Sequence, residues 1–363
     1  MKIAVLGSGN GGTAVAFDFA SNGHDVYLYD LPQFNENISA IREAGGILSE
    51  GRMQGFAKVH YSGHDLEKVL TGADITFVVG PSYAIAPFAR ACAPFLKEGQ
   101  SVVICPGSCG GSIVFLRNLG EDLSSEKFRL AETHTLPYAV RIVGPARIQV
   151  YNKLRGGLFL GGLPRSVGSE ILEKINPVYP GMTLASNIFQ TFLQNSNPIL
   201  HPPVVLMNAA LIERTGGNFM FYEEGVTPAV GKIIEALDQE RISIGKALGV
   251  DIIPNTRIGF LQGYQEEPDT DYFTLYSKGS GFRGIGAPSS LDHRYLTEDV
   301  ARGLVLFHGV ARKAGVGTPV MDSVITLVSR ILQENLFDHV DRRLEEIGLS
   351  ERSIEEFLKL INR

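Results

Sequence analysis

The 363-residue sequence predicts an α/β, Rossmann-type dinucleotide-binding domain over residues 1–185, followed by a mainly α-helical domain over residues 186–363. Three observations carry this expectation. A glycine fingerprint near the N-terminus joins an apolar run to a helical segment. Short apolar runs then alternate with helical segments through the first half, the pattern of a parallel sheet wound with helices. Beyond residues 177–196 the apolar residues recur at helical spacing.

The elements follow in order. Residues 3–6 form an apolar strand that leads into Gly7, Gly9 and Gly12, spaced G-x-G-x-x-G, and residues 13–21 read as a helix. A second strand, residues 26–29, ends in Asp30. The first glycine permits the tight turn, the second lets a pyrophosphate approach the backbone, and the third allows close helix–strand packing. The helix start contributes free N–H groups and a positive dipole end. Gly7, Ser8, Gly9, Asn10, Gly11, Gly12 and Asp30 are therefore the expected cofactor contacts. Asp30 sits where a carboxylate accepts bonds from both adenosine ribose hydroxyls and repels a 2′-phosphate. Leu31 and Pro32 add no cation, and Arg42 is the nearest arginine. NAD(H) is expected over NADP(H).

Residues 75–79 and 101–105 read as further buried strands, and the loops after them, 80–83 and 106–112, are expected to line the cofactor cleft. Residues 129–132, 139–143, 147–151 and 157–162 read as later strands. In the second half, Val226 to Leu248 form one long amphipathic helix that Gly249 ends. Residues 320–332 form another, and a last helix follows Ser350 as N-cap. Residues 262–288 are polar with weak periodicity and are expected as a loop excursion over the site. Substrate is expected between the two domains.

Composition narrows the function. A net charge of −6 gives nucleic acid no electrostatic support, and no run of 18 apolar residues suggests a membrane span. The N-terminus is already a strand rather than a signal peptide, and Cys92, Cys105 and Cys109 form a sparse, odd set. A reducing, cytoplasmic setting is expected. Cys105 and Cys109 lack a matching Cys/His pair, so no metal site is expected. The oligomeric state stays open, a homodimer included.

Hydride chemistry on this scaffold needs an acid/base group and a cation for a carboxylate substrate. His24, His60 and His64 lie in turns or polar stretches. His201 stands in Asn197-Pro198-Ile199-Leu200-His201-Pro202-Pro203, at the start of an apolar helix, with Pro203 in the first turn and the residues before the prolines extended. A histidine there suits proton exchange near pH 7, and serves equally as a structural helix-end group. Arg294 precedes Thr297, Glu298 and Asp299, which read as an N-cap with first-turn acids; the arginine either binds a carboxylate or pairs with them. Arg141 is a second candidate carboxylate clamp, and His134 a weaker polar candidate.

Several segments together resemble the opine dehydrogenase family, of the octopine/nopaline dehydrogenase type. They are the glycine fingerprint, Glu132-Thr133-His134-Thr135-Leu136-Pro137-Tyr138, residues 197–203, Tyr222-Glu223-Glu224-Gly225-Val226-Thr227-Pro228, residues 235–241 and residues 294–299. The resemblance spans essentially the whole chain. It implies a proton-transfer dyad of His201 and Asp299, with Arg294 holding substrate and Asp292 the rival carboxylate. It further implies NAD-dependent reductive condensation of a pyruvate-like α-keto acid with the amino group of an L-amino acid. The alternative is an NAD-dependent 2- or 3-hydroxy acid dehydrogenase of the same two-domain plan. Such enzymes often use lysine, and Lys232 and Lys246 carry no distinctive motif.

Overall fold

The computed structural model describes residues 1–268 and 270–363, and these divide into two compact units. The first comprises Met1–Thr191 with Leu360–Arg363, and the second Phe192–Lys359. The last four residues thus belong to the first unit. There Asn187 Nδ2 donates to Asn362 Oδ1 at 3.1 Å, and the Ser166 amide donates to the Arg363 carbonyl. The expected division after residue 185 assigned that tail to the helical part, because periodicity describes a helix but not where its end docks.

The first unit contains twelve strands among the described residues: β1 (Lys2–Leu6), β2 (Asp25–Tyr29), β3 (Gly46–Gly51), β4 (Gly55–Lys58), β5 (Tyr61–Gly63), β6 (Ile75–Val78), β7 (Ser101–Ile104), β8 (Arg129–Thr133), β9 (Tyr138–Gly144), β10 (Arg147–Lys153), β11 (Leu158–Leu163) and β12 (Met182–Leu184). Eight form one sheet in the order β12-β11-β8-β7-β6-β1-β2-β5, parallel except where β11 runs antiparallel to β8. β1 lies between β2 and β6, with Leu6 paired to Tyr29 on one side and Val78 on the other. The chain order reverses there, which is where such sheets bind ligands, at the carboxyl ends of the strands. Ile3, Val5, Leu28, Phe77 and Val103 are fully buried, as expected of strands covered on both faces. β4-β3-β10-β9 form a second, smaller sheet. Burial pushes the thiols of Cys92 and Cys105 up to about 12.

The second unit is helical. Pro228–Ala247 begins with the Thr227 hydroxyl accepting the Val230 amide and Pro228 in the first turn, and ends before Gly249, whose φ of +67° suits the helix exit. This helix carries a fully buried Asp238–Arg241 pair. Arg241 also donates to the carbonyls of Leu193 at 2.8 Å and Ile253 at 2.9 Å, while Asp238 accepts from the Asn255 amide and the Tyr272 hydroxyl.

Four local expectations change. Residues 262–288 are not all loop: Asp271 caps a helix, Tyr272–Lys278. The last helix, Ile354–Ile361, takes Ser353 rather than Ser350 as its capping residue, with Ser353 and Glu356 bonded reciprocally. His201 lies inside its helix, Asn197–Met207, because Pro198 takes the first turn and Pro202 and Pro203 continue in helical conformation. Thr297 closes a short helix, Arg294–Thr297, instead of capping a long one. No described helix is long and apolar enough to cross a membrane.

Candidate active site

In the first unit, the three fingerprint glycines meet three different demands. Gly7 has φ +111°, and a Cβ there would lie 2.1 Å from the Val79 carbonyl oxygen. A Cβ on Gly12 would lie 1.8 Å from the Gly7 oxygen, so helix Asn10–Ser21 packs directly on the turn. A Cβ on Gly9 would meet nothing within 4 Å, which leaves room for a ligand at the backbone. The helix starts at Asn10 with no side-chain cap and no acid in its first turn, so its first amides and dipole face outward uncompensated.

Two expected cofactor residues are turned inward. The Ser8 amide and hydroxyl both donate to Asp30 Oδ2, at 2.6 and 2.7 Å, and the Leu31 amide donates to Oδ1 at 2.8 Å. Ser8 therefore holds Asp30 instead of offering donors to a phosphate. With three acceptor positions taken, Asp30 keeps capacity for about one further donor, on Oδ1. The Asn10 side chain accepts the Ile142 amide at 2.7 Å, which ties the helix start to β9. Arg42 donates to Ser39 on its own exposed helix. His64, set aside as a loop histidine, bonds the Asp30 carbonyl at 2.8 Å and so braces the end of β2.

In the second unit, His201 and Asp299 come together from positions 98 residues apart: His201 Nδ1 lies 2.7 Å from Asp299 Oδ2. Both residues are buried. Asp299 opens a π-helical turn, Asp299–Leu304, in which the Gly303 amide donates to the Glu298 carbonyl at 3.1 Å. Such turns re-aim side chains. Gly303 has the reason to be glycine: its Cβ would lie 2.5 Å from Pro198 Cγ. Its absence lets the π turn close on the first turn of the His201 helix and brings Asp299 within reach.

Tyr222 meets the other nitrogen of the imidazole, its hydroxyl 3.0 Å from His201 Nε2. The turn carrying it lies along the His201 helix. Asn208 Nδ2 donates to the Gly225 carbonyl at 2.9 Å, and a Gly225 Cβ would touch Val204. Tyr295 stacks on the imidazole at 3.9 Å between centroids. Phe221, Tyr276 and Phe282 pack around Tyr222. Burial first, then neighbouring Tyr295, Tyr276, Tyr264 and Asp299, push the Tyr222 phenol well above its ordinary pKa, so it stays protonated. A carboxylate only accepts, so Nδ1 carries the hydrogen shared with Asp299 and Nε2 accepts from the phenol.

Tyr222 was not among the expected site residues, although its segment belongs to the resemblance. Its neighbours Glu223 and Glu224 accept backbone amides of Gly284 and Met220. Arg294, half exposed, pairs with Glu298 at 2.9 Å. Asp292 is exposed, and it is Asp299 that meets His201. Arg141 is exposed on β9. His134 is buried and its Nδ1 accepts the Phe159 amide, a role inside the sheet.

An open glycine loop at a sheet switch point and a buried imidazole–carboxylate pair define a nucleotide-dependent oxidoreductase. Residues 184–332 match the NAD/NADP octopine/nopaline dehydrogenase α-helical domain, and residues 2–107 the NAD-dependent glycerol-3-phosphate dehydrogenase N-terminus. The opine dehydrogenase of Arthrobacter sp. (strain 1C) is 34% identical over 96% of this chain and 95% of its own. Vitopine synthase of Allorhizobium ampelinum (strain ATCC BAA-846 / DSM 112012 / S4) is 27% identical over 93% and 92%. Octopine dehydrogenase solved with NADH and L-arginine shares the fold, with a TM-score of 0.79 at 20% identity over 100% of this chain and 98% of that one. The chain belongs to the opine dehydrogenase family, NAD-dependent oxidoreductases acting on CH–NH groups.

Proposed function

We propose that the protein condenses a pyruvate-like α-keto acid with the amino group of an L-amino acid and reduces the imine to an N-(carboxyalkyl) amino acid, and runs the reverse reaction. The observation that carries this reading is the buried His201–Asp299 pair, an acid/base group with its orienting carboxylate.

The glycine loop fits the cofactor. The open space at Gly9 and the free amides from Gly9 to Gly12 suit the pyrophosphate, with Gly7 making the turn. Asp30 would take one ribose hydroxyl, and its charge disfavours a 2′-phosphate. When bound, NADH supplies the hydride that reduces the imine carbon. His201 loses a proton as the carbinolamine hydroxyl leaves as water, and recovers one in the reverse direction. Asp299 holds the Nδ1–H tautomer and stabilises the imidazolium that forms. Arg294 would clamp a substrate carboxylate by exchanging Glu298 for it; Arg141 is the alternative clamp. The aromatic rings of Phe221, Tyr222 and Tyr295 around the imidazole favour a dry site, which protects an imine from hydrolysis.

Following NADH absorbance with keto acid and amino acid, singly and together, tests the reading. Consumption should require both substrates, and NADPH should give a lower kcat/KM than NADH. Consumption with the keto acid alone would instead make the protein a hydroxy-acid dehydrogenase.

A further inference from the structure

We infer that Tyr222 is a catalytic proton carrier: its hydroxyl stands between His201 Nε2 and the reacting oxygen, and the proton that leaves the imidazole crosses the phenol. The inference rests on the proposed role of the His201–Asp299 pair and extends it by one residue.

Each imidazole nitrogen has a partner. Nδ1 is held by Asp299 at 2.7 Å, and Nε2 faces the Tyr222 hydroxyl at 3.0 Å. One flat side is covered by stacked Tyr295, and Phe221 lies nearby, tilted at 6.2 Å between centroids. Nε2 is the nitrogen left for chemistry, and Tyr222 covers it. Among the described residues, His201 is the one hydrogen-bond partner of the Tyr222 hydroxyl. A phenol can donate once and accept as well, so Tyr222 has acceptor capacity beyond that bond. It is not a loose side chain. The ring is wedged between Phe221, Tyr276 and Phe282, and its turn is fastened to the His201 helix through Asn208 and Gly225. Raised well above its ordinary pKa, the phenol does not lose its proton to bulk water, so it passes a proton only while receiving one.

The step balances. In the condensing direction the carbinolamine C–O bond breaks with its electron pair on oxygen. The Tyr222 O–H proton goes to that oxygen, which leaves as water. At the same time the Tyr222 oxygen takes the Nε2 proton of the imidazolium. The nitrogen lone pair of the substrate closes the C=N bond, leaving a protonated imine, a neutral imidazole and an unchanged phenol. The reverse sequence returns the proton to His201.

Tyr222→Phe keeps the ring and its packing and removes only the hydroxyl. It should lower kcat about 10²-fold, the low end for one acid/base group, with the KM of the keto acid within about threefold. NADH affinity and Tm should stay near those of the unsubstituted protein. In H2O/D2O mixtures, kcat of the unsubstituted enzyme should bow as two protons move together, and the Tyr222→Phe plot should straighten. Retention of kcat within about threefold, or an unchanged plot, overturns the relay and leaves the His201–Asp299 pair intact. His201→Asn, run in parallel, separates the two readings: undiminished turnover there removes the pair and the relay with it.

Discussion

His201 meets Asp299 at 2.7 Å, and in the same helical unit His308 meets Asp322 at 2.7 Å. By length and atom type the two pairs are equivalent, Nδ1 to a carboxylate oxygen in each case. Their settings differ. The Asp299 side chain is 5% exposed, that of Asp322 43%. Asp322 shares its oxygen with the Thr318 hydroxyl, and His308 packs edge-on against Phe337. His201 instead lies under a stacked tyrosine with a second hydroxyl at Nε2. Hydrogen-bond length therefore does not tell the two pairs apart. What sets the His201 pair apart is a carboxylate withdrawn from water, where electrostatics are stronger, and a second nitrogen facing a hydroxyl.

Asp238 and Arg241 mark the far end of the same scale, with both side chains fully buried and neighbouring backbone and side-chain groups bonded to each. Such a pair holds a fold together but has little capacity left for a substrate. The helical unit thus contains a half-buried pair, a buried pair whose imidazole also faces a hydroxyl, and a buried pair that is saturated.

Substitutions should separate the three. The largest effect is expected at His201. His201→Asn should lower kcat about 10³-fold, roughly 4 kcal/mol in barrier height, while NADH binding stays as it was. Single-turnover kinetics and NADH fluorescence titration measure the two halves; turnover within tenfold would make the two histidine pairs functionally alike. Next comes Arg241→Met, which strands the Asp238 carboxylate in the interior. It should cost about 3–5 kcal/mol of stability, read by urea unfolding, against a much smaller change in the kcat of the folded fraction. A loss under about 1 kcal/mol would place that pair with the half-buried one. The smallest effect is expected at His308: His308→Asn should cost less than about 1 kcal/mol and leave kcat within twofold. A large drop in kcat there would overturn the ordering by burial.

Much of this was legible before any fold was known, and the limits are equally concrete. Gly7, Gly9, Gly12 and Asp30 lie within one strand–helix–strand segment, so the backbone demands of the turn show directly in residue type. The long helix Pro228–Ala247 was readable from its periodicity and from Gly249. His201 stood out from its setting between prolines at a helix start, but its pairing with Asp299 was implied by the resemblance alone, since nothing local joins residues 98 positions apart. Ser8 read as a cofactor contact, and its amide and hydroxyl are bonded to Asp30. Tyr222 carried no signal of its own, because a buried aromatic in a turn looks like packing until its hydroxyl is located.

The sequence by itself determined the features that short-range physics controls: where glycine is required, where helices and strands run, and that a dinucleotide has a place to bind. Only the tertiary structure decided which polar atoms meet. Gly303 closing on Pro198 sets Asp299 beside His201, and Gly225 lying against Val204 and Asn208 sets the Tyr222 hydroxyl at the opposite nitrogen. Conformational preferences belong to a residue and its neighbours, whereas a hydrogen bond across the chain exists only once packing has brought its two ends to within about 3 Å.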